Sequence, residues 1–140
     1  MKKFFCVLLS VLVLAGSLTL AASAMSGDDL IAPCFYNTAT VSTTFFIDDS
    51  GLALTESSCV GMTGVTTGIV IESKIERKFG LIWLDVKGAE WTDSTSSSVL
   101  SISHSIQLNK SGTYRVTADF TVSGTGHPDD EIRNRVQDSY

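Results

Sequence analysis

The sequence predicts an all-β protein: an antiparallel immunoglobulin-like β-sandwich of about seven strands. Three observations predict it. Between residues 113 and 122 the side chains alternate without a break. Tyr114, Val116, Ala118, Phe120 and Val122 take one face, and Thr113, Arg115, Thr117, Asp119 and Thr121 the other. That is the period of a half-buried strand. Five further β-rich runs precede it, separated by turns rich in Gly, Asp and Ser, and no segment before residue 128 has the period of an amphipathic helix. Gly112-Thr113-Tyr114 leads into the strand as a tyrosine corner does in such sandwiches, where the Tyr hydroxyl bonds back to upstream backbone. Val116 stands where antibody domains carry their second cysteine, so that inter-sheet disulfide is not expected. Tyr114, Gly112 and Trp83 are the residues expected to hold the fold.

Residues 1–24 read as a signal peptide. Lys2 and Lys3 precede an apolar run from Phe4 to Leu14, and Ala22-Ser23-Ala24 is a small-residue cleavage signal. An anchor is the rival reading, but Ser26-Gly27-Asp28-Asp29 follows with no basic stop-transfer flank. No Cys lies beside the cleavage point, so no lipid tether and no membrane anchor are expected after processing. Cleavage after Ala24 takes 24 residues from 140 and leaves 116, enough for one domain. Loss of Lys2 and Lys3 reduces the 10 basic residues to 8 against 15 acidic ones, a net charge of −7. Such a surface argues against nucleic acid or an anionic membrane as the main partner.

Residues 25–37 form an irregular lead-in, with Pro33 barring a central strand, and residues 38–140 a single sandwich domain. Thr38 to Ile47, rich in Thr, Val and Phe, is the first strand. Asp48-Asp49-Ser50-Gly51 is a turn, with Asp and Ser bonding local backbone and Gly supplying a positive φ. Leu52 to Met62 follows, interrupted by Glu56-Ser57-Ser58. Thr67 to Lys78 turns Ile69, Ile71, Ser73 and Ile75 to one face, and Glu72, Lys74, Glu76 and Lys78 to the other. Phe79-Gly80 reverses the chain into a short, bulged strand, Leu81 to Trp91, around Trp83 and Val86. Thr92 to Ser98 reads as a polar loop. Val99 to Leu108 alternates again, with His104 on its apolar stripe. Two readings stay open for 126–140, an acidic tail or a last edge strand. Asp129-Asp130-Glu131 after Pro128 would suit a helix N-terminus, with Glu131 and Arg135 spaced i,i+4. Ile132 and Val136 alternating about Arg133 and Arg135 favour the strand, which a seven-stranded sandwich requires.

Cys34 and Cys59 survive processing, and an isolated pair in an exported chain predicts a disulfide. Its loop would stabilise the fold by roughly 3–4 kcal/mol. The hairpin register opposes it: a tight turn at 48–51 sets Cys59 opposite about Thr40, so residues 35–38 must fold back for the sulfurs to meet.

No set of residues carries catalysis. There is no Gly-x-Ser-x-Gly elbow, and His104 and His127 stand without signature context. No metal site is expected, since two His and two Cys lack ligand spacing. No cofactor motif is present either. Asp28-Asp29, Asp48-Asp49 and Asp129-Asp130-Glu131 read as solvated turn carboxylates rather than a Ca²⁺ ladder. Trp83 is expected to pack in the core or at a sheet edge. Trp91, between Glu90 and Asp93, is the more exposed tryptophan and the one weak candidate for ligand binding.

From Ile75 onward the chain combines Ile-Glu-Arg-Lys, a short Gly turn, a strand from Trp83 towards Trp91, a Ser/Thr loop, an alternating strand and Ser111-Gly112-Thr113-Tyr114-Arg115-Val116. This combination resembles a family of small secreted bacterial β-sandwich proteins of unknown function, over roughly Thr38 to Gly124. The resemblance implies an immunoglobulin-like sandwich and brings no catalytic residues. The expected function is that of a secreted, non-catalytic binding module, not an enzyme, for an unknown extracellular or cell-surface partner. The alternative is a small secreted effector acting on competing cells.

Overall fold

The computed structural model describes residues 35–140. The expected leader, its cleavage point, Asp28-Asp29 and Cys34 lie outside them. The described chain is all β, with β1 (Thr38–Ile47), β2 (Leu52–Gly61), β3 (Thr66–Phe79), β4 (Ile82–Thr95), β5 (Val99–Gln107), β6 (Thr113–Gly124) and β7 (Asp130–Ser139). They form two antiparallel sheets, a three-stranded one ordered β1-β2-β5 and a four-stranded one ordered β4-β3-β6-β7. The last segment is therefore a strand, paired with β6 from Thr113↔Ser139 to Val122↔Asp130.

In a constant-type immunoglobulin sheet the fourth strand extends the first sheet. Here β4 pairs with β3 instead. The cause is local: Gly80-Leu81 is a two-residue turn, with Gly80 at φ 60°. A turn this tight leaves the next strand no partner but the one it has just left.

β4 differs from its sequence reading in length. Thr92 to Thr95 read as loop, but they pair with β3 from Glu72↔Thr92 to Ile69↔Thr95, and the connection shrinks to Ser96–Ser98. β3 offers a long free edge there, and Thr and Ser accept strand geometry readily. The expected bulge is present. Lys74 pairs with Glu90 and Glu76 with Asp85, so Val86 to Ala89 loop out opposite Ile75, with Gly88 at φ 79°.

The inner faces pack in two halves. Phe45, Ile47, Ala53, Ile75, Ala89, Leu108, Tyr114 and Val116 fill the half nearest the β1–β2, β3–β4 and β5–β6 turns. Cys59, Ile69, Ile71, Ala118, Phe120 and Val122 fill the other. Buried small polar side chains lie between: Thr55 Oγ1 donates to the Thr44 carbonyl at 3.3 Å, and Ser57 Oγ to Thr43 Oγ1 at 3.3 Å. The Glu56-Ser57-Ser58 interruption of β2 is thus accommodated by hydroxyls that carry their own hydrogen bonds inward.

Tyr114 is 2% exposed, and its hydroxyl donates to the Lys110 carbonyl at 2.5 Å, four residues upstream. This is the back-bond of a tyrosine corner, at the β5–β6 connection. Gly112, at φ 147°, donates its N–H to the Tyr140 carbonyl at 2.7 Å and accepts from the Tyr140 N–H at 3.0 Å. The β6–β7 ladder therefore begins at the corner.

Opposite that end, a buried polar plug joins residues 36–38 to β7. Asp130 takes the N–H groups of Tyr36 (3.1 Å) and Asn37 (2.8 Å) and the Thr38 hydroxyl (2.8 Å). Asn37, 0% exposed, donates from Nδ2 to the carbonyls of Val122 (3.1 Å) and Pro128 (2.8 Å). Asp130 was expected to be a solvated turn carboxylate and is 6% exposed. The correction has a plain cause, since β1 and β7 are neighbouring edge strands whose free N–H groups need acceptors. Asp138 repeats the device at the other end, accepting the Ile47 N–H at 2.7 Å.

Gly124 is packed against the plug, and a Cβ there would stand 2.1 Å from Asn37 Oδ1 and 3.1 Å from the Val65 carbonyl oxygen. Gly124→Ala is expected to destabilise by about 1–3 kcal/mol, as overpacking does. Gly126→Ala, where φ is positive but no atom lies within 4 Å, should cost only the backbone strain, about 1 kcal/mol. Urea melts of the pair measure the difference.

Candidate functional site

The β3–β4 hairpin outruns its sheet. The last rung β3 shares with β6 is Arg77↔Tyr114, whereas β3 and β4 continue through Lys78↔Trp83 and Phe79↔Ile82. Besides Lys78 and Trp83, the overhang carries unpacked apolar side chains: Phe79 is 65% exposed, Leu81 99%, Ile82 55% and, one rung back, Leu84 49%. At its base a groove of about 370 Å³ runs between the hairpin and the β5–β6 loop, with Phe79, Leu84, Val86 and Leu108 against Arg77, Lys87 and Lys110. Periodicity explains why the chain leaves this surface. Phe79-Gly80-Leu81-Ile82 is a turn whose residues have no opposite sheet beneath them, so apolar side chains placed there stay in solvent.

A charged lattice covers the outer face of the four-stranded sheet. Glu76 accepts from Arg115 Nε at 2.6 Å and Nη2 at 3.1 Å, and from Thr117 Oγ1 at 3.2 Å. Lys74 reaches Glu76 at 3.7 Å and Asp85 at 2.8 Å. Glu76 was expected among the solvent-facing residues of β3 and is 5% exposed. Its neighbours cover it: cross-strand partners lie about 5 Å apart, and Arg115 sits directly opposite. The Arg115 bonds hold the Glu76 carboxyl below its ordinary range, against burial, which pushes it up. The Asp85 bond raises Lys74.

Trp83 belongs to this outer lattice, half-buried with the Arg115 guanidinium 4.3 Å above its ring. Of the two positions expected for it, core or sheet edge, it takes the edge: β4 is an outermost strand of its sheet, and Trp83 is a cation–π partner on the outer face. Trp91 differs from expectation. It is half-buried, packs against the first half of the core and stacks on His104, with ring centroids 4.8 Å apart and planes at 2°. The bulge shifts the register of β4, so the side chain opposite Ser73 turns inward and Trp91 does so with it. Its value as a ligand platform falls accordingly.

His104 Nε2 lies 2.7 Å from Asp93 Oδ2, joining β5 to β4 across the open side of the sandwich. An Asp-oriented imidazole is part of a nucleophilic constellation. Among the described residues no hydroxyl or thiol bonds to that ring, so the pair closes a sheet edge and lacks a nucleophile. His127 is exposed and stacks on Tyr36 at 4.5 Å. Cys59 is fully buried opposite Val41, one residue from the register expected, and has no disulfide partner among the described residues. Burial, with the Asp130 charge adding, pushes the thiol pKa up. No group of three or more His, Cys, Asp or Glu suited to a metal ion occurs among the described residues.

Sequence reasoning missed Asn37, Glu76 and Asp130, whose burial depends on the partner strand. The exposed apolar hairpin was visible as the letters Phe-Gly-Leu-Ile-Trp-Leu, which read equally well as the start of a buried strand. The chain matches no family model, no curated protein and no solved structure.

Proposed function

We infer that the chain is a secreted, non-catalytic binding module whose contact surface is the hairpin end of the sandwich. The observation that carries this reading is the overhang itself: Phe79, Leu81, Ile82 and Leu84 stand in solvent beside a groove, and Leu81 and Phe79 are the two most exposed large apolar side chains among the described residues. Contiguous exposed apolar surface on a small domain marks an interaction site. The signal-peptide pattern supports export, and the resemblance to small secreted sandwich proteins is consistent with it. In this reading Cys59 pairs with Cys34. Support for the pairing is that Cys59 and the Tyr36 amide, two residues beyond Cys34, share the neighbour Asp130.

The test uses processed protein recovered from the medium as bait in spent medium and on cell surfaces. The wild type is expected to retain a partner that Leu81→Asp loses at least tenfold; equal retention by both would move the contact surface elsewhere. Growth inhibition of neighbouring strains would instead favour an effector, and hydrolysis lost in His104→Ala an enzyme. Intact mass on the same sample should show Met25 as the first residue. Two thiols alkylated without reductant would remove the Cys34–Cys59 bridge.

A further inference from the structure

Resting on the reading of the hairpin end as the contact surface, we propose that its partner is a bilayer bearing anionic headgroups, entered by the β3–β4 turn. The shape is that of a wedge. Gly80 has no atom within 4 Å of where a Cβ would stand, and Leu81 is 99% exposed, so the tip is open on all sides. Two rungs of hairpin beyond the last β6 contact rise about 7 Å, within the 5–10 Å depth that interfacial apolar groups reach. Behind the apolar tip comes Trp83, paired with Lys78. Tryptophan is enriched where one end of a side chain is wet and the other dry.

Charge selects the lipid. Arg77, Lys87 and Lys110 line the groove at the base of the hairpin, Arg77 also donating from Nη2 to the Ser111 carbonyl at 2.8 Å, and Lys78 stands on the overhang. None of the four is in an ion pair among the described residues, whereas Lys74, Arg115 and Arg133 are tied to Asp85, Glu76 and Asp119. Asp85, the carboxylate nearest the groove, is already held by Lys74 at 2.8 Å. The chain's acidic balance would oppose an anionic surface only if it were felt at the tip. Screening confines the interaction to about 8 Å, and the charged side chains lining the groove are the three cations Arg77, Lys87 and Lys110 and the one paired carboxylate Asp85. Each unpaired cation at an anionic surface strengthens attachment roughly fivefold.

The experiment is flotation of the processed protein with vesicles of phosphatidylcholine alone and of an equal mixture with phosphatidylglycerol. Wild type should float with the mixed vesicles and bind phosphatidylcholine at least tenfold more weakly. Leu81→Asp should lose at least tenfold in binding to the mixed vesicles, and Lys78→Glu with Lys87→Glu should abolish the preference for them. All these side chains project into solvent, so melting temperatures should be unchanged. A Trp91→Phe variant leaves Trp83 as the reporter, and its emission should shift to the blue on mixed vesicles. Wild type remaining in the aqueous phase, or Leu81→Asp floating equally well, overturns the proposal. If wild type fails to float but holds a soluble partner through Leu81, the lipid falls and the binding module stands. If neither occurs, both fall.

Discussion

Tyr114→Ala is expected to cost about 3–5 kcal/mol. The ring lies in the first half of the core with Val116, Ile75 and Leu108, and truncating a buried aromatic removes its transfer energy and leaves a cavity. The hydroxyl can be separated from the ring. Tyr114→Phe keeps the packing and loses the bond to the Lys110 carbonyl, at about 1–2 kcal/mol. Thr113→Ala, one residue away on the outer face, should change stability by no more than about 0.5 kcal/mol. Urea melts of the three give the order directly. If Thr113→Ala proved the costliest, β6 would face the other way and both halves of the core would be misassigned.

Asp130→Ala should cost about 2–4 kcal/mol. It strands the buried Asn37 N–H and Thr38 hydroxyl, each an unsatisfied donor costing about 1–3 kcal/mol, while the Tyr36 amide, on a residue 47% exposed, can turn to water. Asp129→Ala, the exposed neighbour, should lie within about 0.5 kcal/mol of wild type.

The same carboxylate makes the fold acid-sensitive. Burial pushes its pKa up, but the bonds from Asn37, Thr38 and Tyr36 outweigh burial and hold it below the ordinary Asp value of 3.8. A depressed pKa means stability that is fully present above that ordinary value and lost as pH falls through the folded one. Glu76, lowered chiefly by Arg115, adds in the same direction. Melting temperatures should therefore be flat above about pH 5 from this source and fall below pH 4. Asp130→Asn should flatten part of that fall, and an unchanged acid limb would remove Asp130 as its origin.

Alternation alone determined most of the architecture. In β6 every second residue from Tyr114 to Val122 is buried, because strand geometry sends neighbours to opposite faces whatever lies beyond. The Asp48–Gly51 turn is just as local, its carboxylate bonding the Ser50 and Leu52 amides at 2.8 and 2.9 Å. Tyr114 was legible because its partner is only four residues upstream. Where partners come from distant strands, the letters stop short. Glu76 is buried because Arg115, 39 positions away, lies opposite it, and Asp130 because Asn37, 93 positions away, arrives at the neighbouring edge. Trp83 and Trp91, eight positions apart, face opposite sides of β4 because a bulge at Val86 to Ala89 resets its facing. The hairpin's apolar tip was in the sequence throughout, but only the tertiary structure shows that β6 ends two rungs short of it and leaves it uncovered.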